Sequence, residues 1–259
     1  MKNFNKILKY EFLNIIRNRW IFVYFALLFV LTLVLLLAGA SPQKAILSIS
    51  HVIVVLIPLV SLLFSTVYAY YNEQFTETLL TQPLSRPSVF WARHIAIGLG
   101  LGLPAALGIS LPFFIRGTFE LGLLLNALLG LYLTLVFVIL GLAISTRVKD
   151  RMRGVGLAIG AWFFLAVVYD GLVLVLLLLL REYPLDWVSG ALGVLNPIGL
   201  VRVVLLVFHD GALLLGYTGT GVRQLLTSYS GMVVGFMVGA LWLTLPIHLS
   251  RLAFSKKDF

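Results

Sequence analysis

Six long apolar runs divide the chain, at Trp20–Ala38, Val52–Tyr70, Ile95–Ile115, Leu121–Ile144, Gly154–Leu180 and Gly231–Leu249, each 19 residues or longer. Only Gly154–Leu180 holds a charge, at Asp170. About 30 Å of hydrocarbon needs roughly 20 apolar residues in helical form. Each run can therefore cross a bilayer, and the chain reads as an all-α integral membrane protein with six transmembrane helices. A closed β-barrel would show stretches of roughly ten residues alternating apolar and polar side chains, and no such alternation occurs. Of the 259 residues, 61% are hydrophobic and 11% charged, too little polar surface to clothe a globule in water.

An even number of crossings puts both termini on one side, and the nineteen Lys and Arg residues select that side. Fourteen fall in the segments 1–19, 71–93, 145–153 and 250–259, whereas Lys44, Arg116, Arg181, Arg202 and Arg223 fall opposite. Basic residues accumulate on the cytoplasmic side, so both termini are expected in the cytoplasm. The formal charge of +9 thus sets topology and meets anionic membrane lipid rather than nucleic acid. No cleaved signal peptide is read in the first 19 residues, because no compact apolar core with a small-residue cleavage site follows their basic side chains. With no cysteine in the chain, disulfides, thiolate metal sites and Cys nucleophiles are excluded.

The organisation expected is an amphipathic elbow helix at 1–19, five spans over 20–180 with inner loops at 71–93 and 145–153, an outer segment at 181–230, the sixth span at 231–249 and a short tail. At 100° per residue Phe4, Ile7, Leu8, Phe12, Ile15 and Ile16 share one face and Lys2, Lys6, Lys9 and Arg17 oppose it, which predicts a helix lying in the membrane interface. Glu11 falls near the apolar face, which points to a protein partner there. Within the outer segment, Leu195-Asn196-Pro197 signals a helix start, and Ile198–Phe208 is apolar apart from Arg202. It is too short to span, so an interfacial or re-entrant helix is expected.

Few motifs carry chemistry. Gly100-Leu-Gly-Leu-Pro-Ala105 matches a dinucleotide fingerprint in letters only, since no strand precedes it and it lies inside a span. Small residues that let helices approach explain it better, as they do Gly98/Gly102, Gly156/Gly160 and Gly231/Gly235/Gly239. No phosphate-binding loop of the G-x-x-x-x-G-K-[ST] type exists, so any ATP and its Mg²⁺ would sit on another subunit. Asp170, beside Tyr169, costs about 2.5–3.5 kcal/mol at mid-membrane unless it faces protein or water or is protonated. It is either a substrate or proton site or a hydrogen-bonded packing residue. The histidines His51, His94, His209 and His248 and the methionines Met152, Met232 and Met237 show no helical ligand spacing, so no metal site is read, and whether His51, His209 and Asp210 meet is open. No nucleophilic triad or paired carboxylate emerges, and no enzymatic activity is expected of this chain.

The inner loop Asn72-Glu-Gln-Phe-Thr-Glu-Thr-Leu-Leu-Thr-Gln-Pro-Leu-Ser-Arg-Pro87 places Glu73 and Glu77 at i, i+4 with Leu80 one turn on. Pro83 is expected to end this helix, and Ser85-Arg86-Pro87 to form a turn. A short helix carrying acids on a basic membrane face suits docking to a soluble partner.

That loop resembles the E-x-x-x-G-T-L-x-x-L-x-x-P-[VL]-S-R segment of ABC-2 type permeases, with Glu77-Thr78 or Phe75-Thr76 where the family has Gly-Thr. Leu8-Lys9-Tyr10-Glu11-Phe12 and Arg17-Asn18-Arg19-Trp20 resemble the family's elbow helix. Gly156-Leu-Ala-Ile-Gly160-Ala-Trp162-Phe163 leading to Tyr169-Asp170, then Leu195-Asn196-Pro197 and Arg202, resemble the branch that serves maturation of nitrous oxide reductase. The resemblance implies a homodimer in a bacterial inner membrane, paired with a cytoplasmic ATPase that acts on Glu73, Glu77, Leu80, Arg86 and Glu11. It also implies a periplasmic copper-handling partner met through Asn196, Pro197 and Arg202, with this chain a mechanical transmitter that need not bind copper itself. The rival readings are an exporter of lipid, drug or glycan with Phe163, Phe164 and Tyr169 lining a cavity, and a secondary transporter using Asp170 as its ion site.

Overall fold

The computed structural model describes residues 2–39, 41–82, 84–180, 186–209 and 229–256. Helices found there are α1 (Lys2–Ile16), α2 (Arg19–Ala38), α3 (Pro42–Tyr71), α4 (Glu73–Leu80), α5 (Arg86–Ile115), α6 (Leu121–Arg147), α7 (Arg151–Leu179), α8 (Asp186–Leu195), α9 (Pro197–Phe208) and α10 (Tyr229–Lys256). The fold is all-α, and α2, α3, α5, α6, α7 and α10 are long and apolar enough to cross a membrane.

Several helices outrun the apolar stretches that announce them. Residues 42–51, ahead of the second apolar run, are already helical, because Ser41 caps α3, its side chain accepting from the Lys44 N–H at 3.4 Å, and Pro42 opens the first turn with its φ preset for helix. Likewise α5 starts at Arg86-Pro87 inside the expected loop 71–93. At 30 residues each, α3 and α5 are about 45 Å long at 1.5 Å per residue, more than a hydrocarbon core needs. α5 runs through both Pro104 and Pro112; neighbouring helices tolerate the lost backbone hydrogen bonds in such spans.

α6 lies at the centre, packed by α3 on one side and α5 and α10 on others, while α5 also carries α1 and α2. The α3–α6 contact is close because Gly141 has no side chain: a Cβ there would meet the Leu62 carbonyl oxygen at 2.7 Å and Ser65 Oγ at 2.1 Å. We expect Gly141→Ala to force the two helices apart and cost about 1–3 kcal/mol, read as a lowered melting temperature in detergent; an unchanged one would mean the crossing yields freely. Asn126 adds a buried polar clasp, donating to the Ile46 carbonyl at 3.1 Å and sharing a hydrogen bond with Ser50 Oγ at 3.1 Å. The Gly98/Gly102 pair faces Leu135 and Leu131 of α6 within the same chain, whereas Gly156 and Gly160 on α7 face open space.

The amphipathic α1 does not simply float in the interface, for its apolar face packs on α5, with Ile15 and Ile7 buried. Ile7 joins Val89, Phe90, Ala92 and Phe254 in a second small core. That core brings α1 and the end of α10 to one face of the bundle, where Arg86 donates to the Ser255 carbonyl at 2.9 Å.

Candidate functional site

Two polar clusters stand out against this apolar frame, one on the face that carries the N-terminus and one at the opposite end. The first is built around α4. Asn72 ends α3 with its backbone N–H on the Tyr68 carbonyl, and Glu73 occupies the first turn of α4, where a negative charge suits the helix dipole. Thr76, buried on α4, accepts a hydrogen bond from Arg93 of α5 at 2.9 Å. The same guanidinium reaches the Asn72 carbonyl at 3.4 Å and lies over the Tyr68 ring, 5.8 Å from its centroid. Tyr68 in turn donates to Glu11 of α1 at 2.7 Å and accepts from Asn14 at 3.2 Å. Four helices are thus linked through Tyr68 and Arg93, the ring lying under a buried cation and its hydroxyl held by a buried carboxylate.

Arg93 is 8% exposed and Glu11 3%. Buried charges are tolerated when compensated and hydrogen-bonded, and here Tyr68 mediates the compensation. Glu11 was expected to meet a protein partner; its partner is the chain's own Tyr68. The other residues singled out from sequence spread around the cluster. Glu77 is exposed on α4, Glu73 is half-buried beside Tyr70, Thr76 and Arg93, Leu80 packs against the Ile7 core, and Arg86 opens α5. Pro83 lies outside the described residues. Between α1 and α4 runs a groove of about 390 Å³ with Glu11 and Ile7 on its floor and Lys6, Tyr10, Phe75 and Leu79 along it. Tyr68, Thr76 and Arg93 escaped sequence reading; a lone Arg just before an apolar run was the available signal.

The second cluster joins α7 to the α8–α9 pair. Phe164–Val168 forms a turn of π-helix inside α7, a feature that loosens the backbone ladder and recurs at functional sites. Asn196 fits it: its amide donates to the Leu165 carbonyl at 2.6 Å while its Oδ1 caps α9 by accepting from the Ile198 N–H at 3.1 Å. Tyr169 donates to the Leu192 carbonyl at 2.7 Å, Asp170 pairs with Arg202, and Trp242 of α10 donates to the Leu195 carbonyl at 2.8 Å. Leu165 lies fourteen residues before Leu179, the end of α7, about 20 Å along the helix axis. The turn between α8 and α9 therefore meets α7 near the middle of that long helix. Its two helices touch at Gly199, where a Cβ would sit 2.3 Å from the Gly193 carbonyl oxygen.

Sequence reading anticipated α9 and passed over α8, whose ten residues merge into a segment mixing polar and apolar letters. Asn196, 1% exposed, and the buried Pro197 pack within the chain at this junction. Asp170 is ion-paired with Arg202. His51 lies exposed on α3 near Arg202, His209 packs against Gly122, and Asp210 lies outside the described residues. Among the described residues no group of three His, Asp or Glu side chains could hold a metal ion.

The described residues form an all-α bundle with six helices long and apolar enough to cross a membrane, as a transmembrane permease requires. No protein-family model matches the chain. It is 28% identical over 223 residues to the probable ABC transporter permease protein NosY of Stutzerimonas stutzeri, covering 76% of this chain and 79% of that protein. It is 27% identical over 227 residues to the probable ABC transporter permease protein NosY of Pseudomonas aeruginosa strain PAO1, covering 80% and 82%. The chain is thus similar, over about four fifths of its length, to proteins described as probable ABC transporter permeases.

Proposed function

We propose that this chain is the permease subunit of an ABC transporter that couples ATP hydrolysis by a separate cytoplasmic ATPase to copper delivery and maturation of periplasmic nitrous oxide reductase. It works as a homodimer in a bacterial inner membrane with both termini cytoplasmic, and it contacts a periplasmic copper-handling protein. The observation that carries the coupling reading is the Glu11–Tyr68–Arg93–Thr76 chain of contacts beneath an open groove on the face of the two termini. A stroke delivered to α4 through Glu73, Glu77 and Leu80 would pass to α1, α3 and α5 together, with Arg86 tying in α10. The copper reading is supported by the similarity to the NosY proteins. A mechanical transmitter needs no copper ligands of its own. At the far end, the bolts of Tyr169, Asp170, Asn196 and Arg202 would carry motion of α7 to the α8–α9 pair and the outer surface.

Nucleotide state can shift such a dimer only through contacts that differ between its arrangements. Glu77→Lys, at an exposed position, is therefore expected to leave the protein inserted and the partner ATPase bound or active, while copper loading of the reductase falls at least tenfold. Full copper loading in that variant, and in Glu73→Lys, would place the docking site elsewhere. Export of a lipid, drug or glycan is the second reading, favoured by Phe163 and Phe164 on the exposed face of α7; transport of labelled lipid by the purified complex would establish it. A self-contained carrier is disfavoured because Arg202 already compensates the Asp170 charge.

A further inference from the structure

An open groove of about 810 Å³ runs between α2 and α3 and borders the coupling cluster at Asn14, Tyr68 and Asn72. Its volume falls within the roughly 300–1,000 Å³ of sites that bury small ligands. Its lining divides along the helix axes. Val23, Leu27, Val60 and Phe64 make an apolar trough, and Arg19, Asn18 and Asn72 make a polar mouth where α2 begins and α3 ends. No carboxylate belongs to the lining among the described residues. A second cation stands at the rim, since Arg151 stacks on the wall residue Tyr71 at 3.9 Å from its centroid and donates to its hydroxyl at 2.5 Å. Neither Arg19 nor Arg151 is in an ion pair among the described residues.

Tyr24 lines the groove at 4% exposure, its ring forming part of the wall while its hydroxyl is enclosed away from the open space. The mouth lies at the membrane boundary, for Trp20 beside it is a residue type that sits among headgroups. Guanidinium groups match phosphate in geometry as well as charge.

We infer that the groove is a seat for one acidic glycerophospholipid of the leaflet facing the N-terminus. Its phosphate lies at the mouth with Arg19 and Arg151, and an acyl chain fills the trough. The lipid is neither cargo nor coupling partner. It anchors the junction of α1 and α2 to the bilayer, one helical turn from the Asn14 that holds Tyr68.

The test is native mass spectrometry of the full chain, purified in detergent and stripped of lipid, against phosphatidylglycerol and phosphatidylcholine of matched acyl chains. Wild type should retain one phosphatidylglycerol per chain with at least tenfold preference. Arg19→Gln with Arg151→Gln should erase the preference, and Leu27→Trp, which fills the trough, should lower retention of both lipids at least tenfold. If the double variant does not fold, Arg19→Gln alone should lower the preference at least threefold. Equal retention of the two lipids by wild type, or undiminished phosphatidylglycerol binding in the folded variants, overturns the proposal. Because the chain has no cysteine, Leu27→Cys gives a sole thiol in the trough; disulfide-linked dimers in native membranes would show a second copy covering the groove and would overturn it as well.

Discussion

Asp170→Ala should lower both the yield of inserted protein and its melting temperature in detergent, at a cost of about 2–4 kcal/mol, less than the ~3–5 kcal/mol of a fully buried broken pair. The loss arises because Arg202 would keep its charge at membrane depth with no counterion. The two side chains are 35% and 34% exposed, which is why the smaller figure applies. Asp170→Asn combined with Arg202→Gln removes both charges at nearly constant volume and leaves a neutral hydrogen-bonding pair, so most of the stability should return, as it does when buried pairs are replaced together. The Asn196 and Tyr169 anchors remain in every variant, so α8–α9 should stay docked and the defect should be energetic rather than topological. Measured by fluorescence-detected thermal unfolding of the solubilised protein, a single variant as stable as wild type, or a double variant no better than Asp170→Ala, would refute the ion pair as the main bolt.

The six spans and the short α9 were legible because apolar length and a cap-plus-proline signal are local properties of the chain. What escaped reading was non-local. Glu11 and Tyr68 are 57 positions apart, and no periodicity in either helix says that they meet. Gly98/Gly102 and Gly156/Gly160 have the same spacing, yet the first pair is packed on α6 and the second faces open space. The same letters permit a close approach without saying which helix makes it. The start of α3 was hidden for a different reason: Pro42–Ser50 is helical through its cap and its contacts with α6, while hydropathy marks only the part that crosses the membrane. Asp170 announced itself by cost alone, and its partner Arg202 looked like a surface cation until α9 was seen to dip beside α7.

The cluster under α4 gives the other large effect. Glu11→Gln should destabilise the protein by about 3 kcal/mol or more, because it leaves Arg93 as an uncompensated buried charge, and Arg93→Gln should cost a similar amount by stranding Glu11. The double variant should cost less than the sum, with a coupling energy of about 1–3 kcal/mol, although the two side chains act on each other through Tyr68. Tyr68→Phe separates the parts. It keeps the ring under Arg93 and so the hold on Thr76 and α4, but it removes the hydroxyl that binds Glu11 and Asn14. On the coupling reading proposed above, Arg93→Gln should therefore release α4 and lower both nucleotide-dependent ATPase modulation and outer-side function, whereas Tyr68→Phe should leave α4 seated and loosen α1. Hydrogen exchange can read the two helices separately: faster exchange over residues 73–80 in Arg93→Gln, and over 7–16 in Tyr68→Phe. Additive costs for Glu11 and Arg93, or equal loosening of both helices in both variants, would mean that the contacts are independent and that the ring transmits nothing between them.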